Sequence, residues 1–154
     1  MPADSTTRPD KLSLVVYSGD FDKLHYVLAM AAAAAAIGMP ATLFFTMGAC
    51  RALLPPGATG DPPWRDMSVS EGAGGRVGED GGGRDDAYRE RGVGGFEELI
   101  KSCADLGVRF IVCEMGLRAM DFERQGLRGD IPIESAGIVT FLNDASENGA
   151  VVFV

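Results

Sequence analysis

The stretch that decides the fold is Val108-Arg109-Phe110-Ile111-Val112-Cys113. Four of these six side chains are β-branched or aromatic and one is charged, which is typical of a strand covered on both faces, and such strands belong to parallel sheets. Met115, Ala119 and Phe122 then recur at helical spacing, so a helix should begin within a residue or two of Cys113. The pattern predicts Cys113 at the carboxyl end of a buried strand, directly before a helix.

This predicted position makes Cys113 the candidate catalytic residue. The first N–H groups of a helix have no partner within the helix, so a thiolate placed there is stabilised relative to the thiol. Ligands of open α/β sheets also bind outside the carboxyl ends of the strands. A reactive sulfur needs access to solvent, so we expect an accessible Cys113. The alternative is a packing residue that closes the strand end, because free cysteine is among the most buried residue types.

The pattern on either side of this unit predicts an α/β fold. A strand at 11–17 and a strand at 41–45 are joined by a helix that ends at Gly38, which makes a βαβ unit. Helices are predicted again at 96–106 and 140–147, and strands at 108–113, 135–139 and 150–154. We therefore expect a mainly parallel five-stranded sheet with helices on both faces, in a flavodoxin-like layering.

Composition limits the domain organisation. With 154 residues, of which 46% are hydrophobic, the chain has the length of one domain with a proper core. Residues 1–10 are polar and predict a flexible N-terminal tail, and residues 11–154 predict a single domain. A glycine-rich segment at about 57–83 reads as a long surface insertion, because it has few apolar residues to offset the entropy of ordering. It is either a tolerated insertion, or a lid or subunit-contact arm.

Charge and cysteine content exclude several classes of partner. The net charge of −8 repels phosphate, so neither a nucleic acid nor an anionic membrane is expected. The apolar segment at 26–39 is too short to span a bilayer. Three cysteines without a signal peptide favour a reducing, cytoplasmic location. The one histidine, His25, has no partner of fixed spacing, so no metal site and no cofactor are expected.

Residues after the first two strands are candidates for a pocket beside Cys113. Ser18, Gly19 and Asp20 follow the first strand, where they either line the pocket or only form a turn and a helix cap. Met47, Gly48 and Cys50 follow the second strand. Cys50 could pair with Cys113 at the same sheet edge or could face the core, and Met47 could line a sulfur-friendly pocket or fill the core.

Four ordered stretches together resemble the DsrE/DsrF-like family, most closely its stand-alone branch, which is sometimes labelled peroxiredoxin family. They are residues 12–24, 43–46, 106–113 and 137–142. The resemblance implies a parallel α/β fold, frequent homo-oligomers and a role in sulfur trafficking with sulfane-sulfur donor and acceptor proteins. It also implies that Cys113, at the matching position, receives sulfur as a persulfide and passes it on.

The residues after Cys113 depart from a simple sulfur-relay site. Glu114 places a carboxylate beside the sulfur, which disfavours the thiolate, and Arg118 offsets that charge only if it folds back. Met115 is a further candidate lining residue. The expected function is a sulfur carrier or sulfurtransferase, and the alternative is a non-catalytic small-ligand or protein-binding module with the same fold. A peroxide-reducing enzyme is disfavoured because no Thr/Ser-x-x-Cys helix start is present.

Overall fold

The computed structural model describes residues 8–154, and its sheet has five strands that are all parallel. The predicted tail at 1–10 therefore lies, for its first seven residues, outside the described part of the chain. The spatial order is β4-β3-β2-β1-β5, which the sequence left open. The strands are β1 (Leu12–Val16), β2 (Ala41–Phe45), β3 (Arg109–Cys113), β4 (Glu134–Ala136) and β5 (Ala150–Phe153).

Five α-helices surround this sheet, so the predicted α/β fold is confirmed. Among residues 8–154, none of the helices has the length and apolarity needed to cross a bilayer. The α-helices are α1 (Phe21–Ala36), α2 (Gly81–Glu90), α3 (Phe96–Asp105), α4 (Glu114–Ala119) and α5 (Ile138–Asp144), and 3₁₀ turns occur at Met47–Leu53, Pro63–Asp66 and Glu123–Gln125.

The order of the strands explains how the helices are divided between the two faces. The chain moves steadily in one direction from β1 to β4, and α5 then carries it back to β5, which lies beside β1. Crossovers between parallel strands are right-handed, so a reversal of direction moves the connecting helix to the opposite face. We call the side that packs against α1 and α3 the first face, and the side that packs against α5 the second face.

The first face carries most of the core. Alternate strand residues point towards it, as the period of a β-strand requires, and α1 and α3 contribute buried stripes that include Leu24, Leu28 and Ile100. The aromatic rings of Phe21, Trp64 and Phe96 meet there with centroids about 5 Å apart. The buried strand residues on this face are Leu12, Leu14, Val16, Leu43, Phe45, Phe110 and Val112.

The second face has a much smaller buried cluster. Phe44, Ile111 and Cys113 from the strands pack with Phe141 of α5, and Val15 and Ala136 are half-buried beside them. The Phe141 and Phe44 rings are stacked with centroids 5.0 Å apart. A single helix of seven residues thus covers the middle of this face.

The glycine-rich segment is more ordered than its composition predicts. Trp64 and Met67, which lie within it, are 2% and 1% exposed, and the run Gly81-Gly82-Gly83 begins α2 although order was expected to resume only near Phe96. A Cβ atom at Gly81 would lie 2.6 Å from the Trp64 carbonyl oxygen. Glycine is therefore needed there for the close approach of two backbones, a role that composition alone does not reveal.

Candidate functional site

Cys113 ends β3 and forms the N-terminal cap of α4, as the sequence predicted. The Gly116 N–H donates a hydrogen bond to the Cys113 sulfur across 3.4 Å. This donor is one of the N–H groups in the first turn of α4, which have no partner within the helix. The sulfur of Cys113 therefore lies directly in front of the amino end of α4 and accepts a backbone N–H there.

The expectation that solvent reaches this sulfur is wrong. Cys113 is 1% exposed and belongs to the cluster with Phe44, Ile111 and Phe141. Among the described members of that cluster, Phe141 is the one that does not lie on a strand. The sulfur thus faces the amino end of α4 but is sealed from solvent by the sheet and by α5.

The other two cysteines lie on the opposite face of the sheet. Cys50 and Cys103 belong to the first-face core, and both are fully buried. Burial raises the pKa of Cys103 to about 12, and burial together with the nearby Cys113 raises the pKa of Cys50 to about 12. All three cysteines are free thiols. Cys50 and Cys113 thus belong to separate buried clusters although they are near enough for Cys113 to affect the pKa of Cys50, and the paired-thiol interpretation stays a prediction.

The turns that follow β1 and β2 are in close backbone contact. A Cβ atom at Gly48 would lie 3.0 Å from the Gly19 Cα, so the absence of a side chain at Gly48 allows these turns to meet. Met47 adopts a φ of 49°, a left-handed conformation that costs a non-glycine residue roughly 1–2 kcal/mol. A Cβ atom at Gly116 would lie 2.6 Å from the Met47 nitrogen. The ends of β1, β2 and β3 are thus packed tightly by backbone atoms.

The polar groups of the first turn bind the glycine-rich segment. Asp20 is the residue before α1, but its side chain makes no capping hydrogen bond and instead accepts one from the Ser68 hydroxyl at 2.8 Å. Ser18 accepts a hydrogen bond from the Asp20 N–H at 3.1 Å. The Phe21 N–H donates to the Ser68 carbonyl at 2.8 Å. These hydrogen bonds of Ser18 and Asp20 therefore hold the turn and the glycine-rich segment together, and their place in a pocket beside Cys113 stays a prediction.

Glu114 and Arg118 lie on the side of α4 opposite Gly116, the residue whose backbone packs against Met47. They line an open depression of about 490 Å³. Arg118 is exposed and pairs with Glu123, with 3.7 Å between the charged atoms, so it does not fold back towards the sulfur. Met115 is 53% exposed. The other residues that line the depression are Leu117, Phe122, Glu123, Gly126, Leu127 and Ser135.

The depression lies at the carboxyl ends of β3 and β4. The chain leaves β3 towards α4, whereas it leaves β4 towards α5 on the second face. Ligands of open α/β folds bind outside the carboxyl ends of the strands. Cys113 and Ala136 are paired in register at this point. The sequence could not indicate Ser135 or Leu127 as neighbours of Glu114, because strand order is not encoded in spacing.

A network of charges at the far end of α5 fixes this helix to the second face. Asp144, the last residue of α5, accepts hydrogen bonds from the Thr42 hydroxyl and the Arg109 guanidinium, both at 2.6 Å, and pairs with Lys11 at 2.8 Å. Burial raises the pKa of Asp144, but these partners outweigh burial and hold the pKa below its usual value. Sequence reasoning identified none of these residues as part of the site. Phe141 was noted only as an apolar member of the predicted helix.

No group of metal-ligating side chains is found among residues 8–154. His25 is buried, and its Nε2 forms a hydrogen bond with the Gly94 carbonyl at 2.8 Å. His25 is thus a buried residue whose side chain is hydrogen-bonded to the backbone.

A comparison with protein families gives one match. The model of the DsrE/DsrF/DrsH-like family matches residues 71–153, which run from the glycine-rich segment through α2, α3, β3 and α4 to the end of β5. The match includes Cys113 and α5 but not β1, α1 and β2, which also contribute to the resemblance in sequence. No curated protein matches the chain.

Proposed function

Because the chain belongs to the DsrE/DsrF/DrsH-like family, we propose that it is a sulfur-relay protein in which Cys113 carries sulfane sulfur as a persulfide. The observation that carries this proposal is the hydrogen bond from the Gly116 N–H to the Cys113 sulfur at the end of β3. The two other cysteines are held as neutral thiols by burial. Of the three cysteines, Cys113 is the one that caps a helix and accepts an N–H of its first turn, a position at which reactive cysteines occur.

The proposed reaction is a sulfur transfer without net oxidation. The Cys113 thiolate attacks the outer sulfur of a persulfide donor, R–S–SH, while the sulfur–sulfur bond of the donor breaks. The donor leaves as the thiolate R–S⁻ with the electron pair of that bond, and the product is Cys113–S–SH. The Gly116 N–H stays within reach of the inner sulfur of the persulfide. An acceptor thiolate removes the outer sulfur by the same attack in the other direction.

The burial of Cys113 means that α5 must move before a donor can react. Phe141 is the residue of α5 that belongs to the same buried cluster as Cys113. The helix α5 is short, and its outer side chains Val139 and Leu142 are 70% and 60% exposed. Short elements with few buried contacts open at a lower free energy than the whole domain. Donor and acceptor therefore approach from the second face.

Incubation with thiosulfate or polysulfide followed by intact-mass measurement tests the proposal. We expect the protein to gain one sulfur atom, the Cys113→Ser variant to gain none, and the Cys103→Ser variant to gain sulfur like the unmodified protein. Cys103 is the matched control because it is an equally buried cysteine on the first face. An adduct that persists in Cys113→Ser, or the absence of any adduct, overturns the proposal.

One observation favours a second candidate function. The 1% exposure of Cys113 is what a packing residue in a non-catalytic small-ligand or protein-binding module would show. Alkylation separates the two functions. A sulfur carrier reacts at Cys113 under native conditions through opening of α5, whereas a packing cysteine reacts only once denaturant unfolds the domain.

A further inference from the structure

The two edges of the sheet differ in how they are protected. The β4 edge is three residues long, and its Glu134 side chain pairs with Arg109. The β5 edge has the sequence Ala-Val-Val-Phe, without an ionisable side chain. Monomeric proteins protect sheet edges with short strands and charges, because an open edge pairs readily with another strand. The β5 edge is four residues long and lacks the protection of a charged side chain.

The backbone of β5 has hydrogen-bonding groups that face away from the sheet. The Ala150 N–H donates to the Lys11 carbonyl and the Val154 N–H donates to the Val15 carbonyl, both at 2.9 Å. Successive residues of a strand direct their backbone groups to opposite sides. The N–H and C=O groups of Val151 and Phe153 therefore point outwards from the edge, away from β1.

The side chains of the same two residues form an exposed apolar patch on the second face. Val151 is 56% exposed and Phe153 is 67% exposed, and Tyr17, at 46%, lies against Phe153 with 5.3 Å between ring centroids. Val151 and Phe153 are in register with Ser13 and Val15 of β1. The patch is thus continuous with the strand residues of the second face, and α5 does not cover it.

We propose that β5 pairs antiparallel with β5 of a second copy of this chain, about a twofold axis at Val152. In that register Val151 of each copy lies opposite Phe153 of the other. Each of these two residue pairs exchanges both of its outward N–H and C=O groups, which gives four hydrogen bonds between the copies. The two sheets become one sheet of ten strands.

Self-complementarity favours a second copy over an unrelated peptide. Val151 meets Phe153 twice on the same face, and pairs of aromatic and β-branched residues stabilise neighbouring strands. Two copies with a net charge of −8 each repel one another, so they approach most easily where no charge is present. Two half-exposed aromatic side chains and a valine offer roughly 300–400 Å² per copy. The backbone atoms of the paired β5 edges add to this buried area. The total area is that of a small protein–protein interface.

Two variants weaken the pairing in different ways. Val151→Pro removes an outward N–H without removing a hydrogen bond between β5 and β1, and Phe153→Glu places two charges at the twofold contact. Tyr26→Glu is the matched control, because Tyr26 is an aromatic residue of equal exposure, 69%, on α1. Circular dichroism establishes that each variant is folded. If Val151→Pro does not fold, Phe153→Glu and its control decide the result.

Sedimentation velocity over a hundredfold range of concentration measures the assembly. We expect the unmodified protein and Tyr26→Glu to reach twice the monomer mass of 16.2 kDa, and Val151→Pro and Phe153→Glu to need at least tenfold higher concentration for the same fraction of dimer. A monomer at every concentration overturns the proposal, and so does an assembly of any size that Phe153→Glu leaves unchanged. A larger assembly whose mass is halved by Phe153→Glu supports it.

Discussion

Both faces of the sheet contain buried cysteines and aromatic residues, but the first face is covered by a much larger core than the second face. On the first face, α1 and α3 seal Cys50 and Cys103 within a large core, and both thiols have their pKa raised to about 12. On the second face, Cys113 lies in a small cluster to which α5 contributes Phe141, and the patch formed by Val151 and Phe153 stays exposed. The difference teaches that cysteines with the same exposed fraction can differ in how easily a reagent reaches them. Exposing a first-face thiol requires disruption of the main core, whereas exposing Cys113 requires displacement of one short helix.

The largest expected effect compares the two faces at adjacent positions of β2. Phe45 points to the first face and stacks on Phe110, whereas Phe44 points to the second face and stacks on Phe141. We expect Phe45→Ala to lower the free energy of unfolding by about 3–5 kcal/mol. Phe44→Ala should cost about 1–2 kcal/mol less, because α5 can relax into the cavity. Urea denaturation measures both. An equal or larger loss in Phe44→Ala would show that α5 is as rigid as the first-face helices.

The next prediction concerns access to Cys113. Replacing Phe141 by alanine removes the side chain of α5 that packs with the sulfur, so α5 should open more often. We expect the substitution to lower the free energy that holds α5 closed by about 2 kcal/mol. Alkylation of Cys113 in the native protein should then be roughly 30-fold faster. Mass spectrometry of the iodoacetamide reaction follows the rate at each cysteine. Leu142→Ala is the control, because this neighbouring side chain is 60% exposed. Equal rates in the two variants would mean that Phe141 does not control access.

The smallest expected effect tests how Asp144 fixes α5. The folded state keeps this carboxyl ionised to lower pH than the unfolded chain, because Lys11, Thr42 and Arg109 outweigh its burial. The resulting stability is present above the unfolded pKa of about 3.9 and is lost as pH falls through the lowered folded pKa. We expect Asp144→Asn to cost about 1–2 kcal/mol at pH 7.

Denaturation curves across pH 2–7 give the difference between the unmodified protein and Asp144→Asn. This difference should shrink below about pH 4, where the carboxyl of the unfolded chain takes up a proton, and should be lost once the pH falls below the lowered pKa of the native carboxyl. Asp105→Asn, at the exposed end of α3, is the control and should follow the unmodified protein. A difference that does not change with pH would assign the effect of Asp144 to packing and not to charge.

Local patterns predicted the elements of the site well. Side-chain period and composition predicted the strand before Cys113, the helix after it and the strand at 41–45, because these patterns depend on neighbours in sequence. The ordering of Gly81-Gly82-Gly83 into α2 was missed. Glycine content indicates the entropy that folding costs, but it does not indicate that Trp64 lies close enough to require a residue without a side chain.

The sequence by itself determined that Cys113 ends a strand and caps a helix. Both properties follow from the spacing of apolar side chains before and after this residue. Only the tertiary structure decided that the sulfur faces the second face, that Phe141 closes it off and that Cys50 belongs to the opposite core. These properties depend on the order β4-β3-β2-β1-β5. That order comes from pairing between residues far apart in the chain, and side-chain periodicity contains no information about which strands are neighbours.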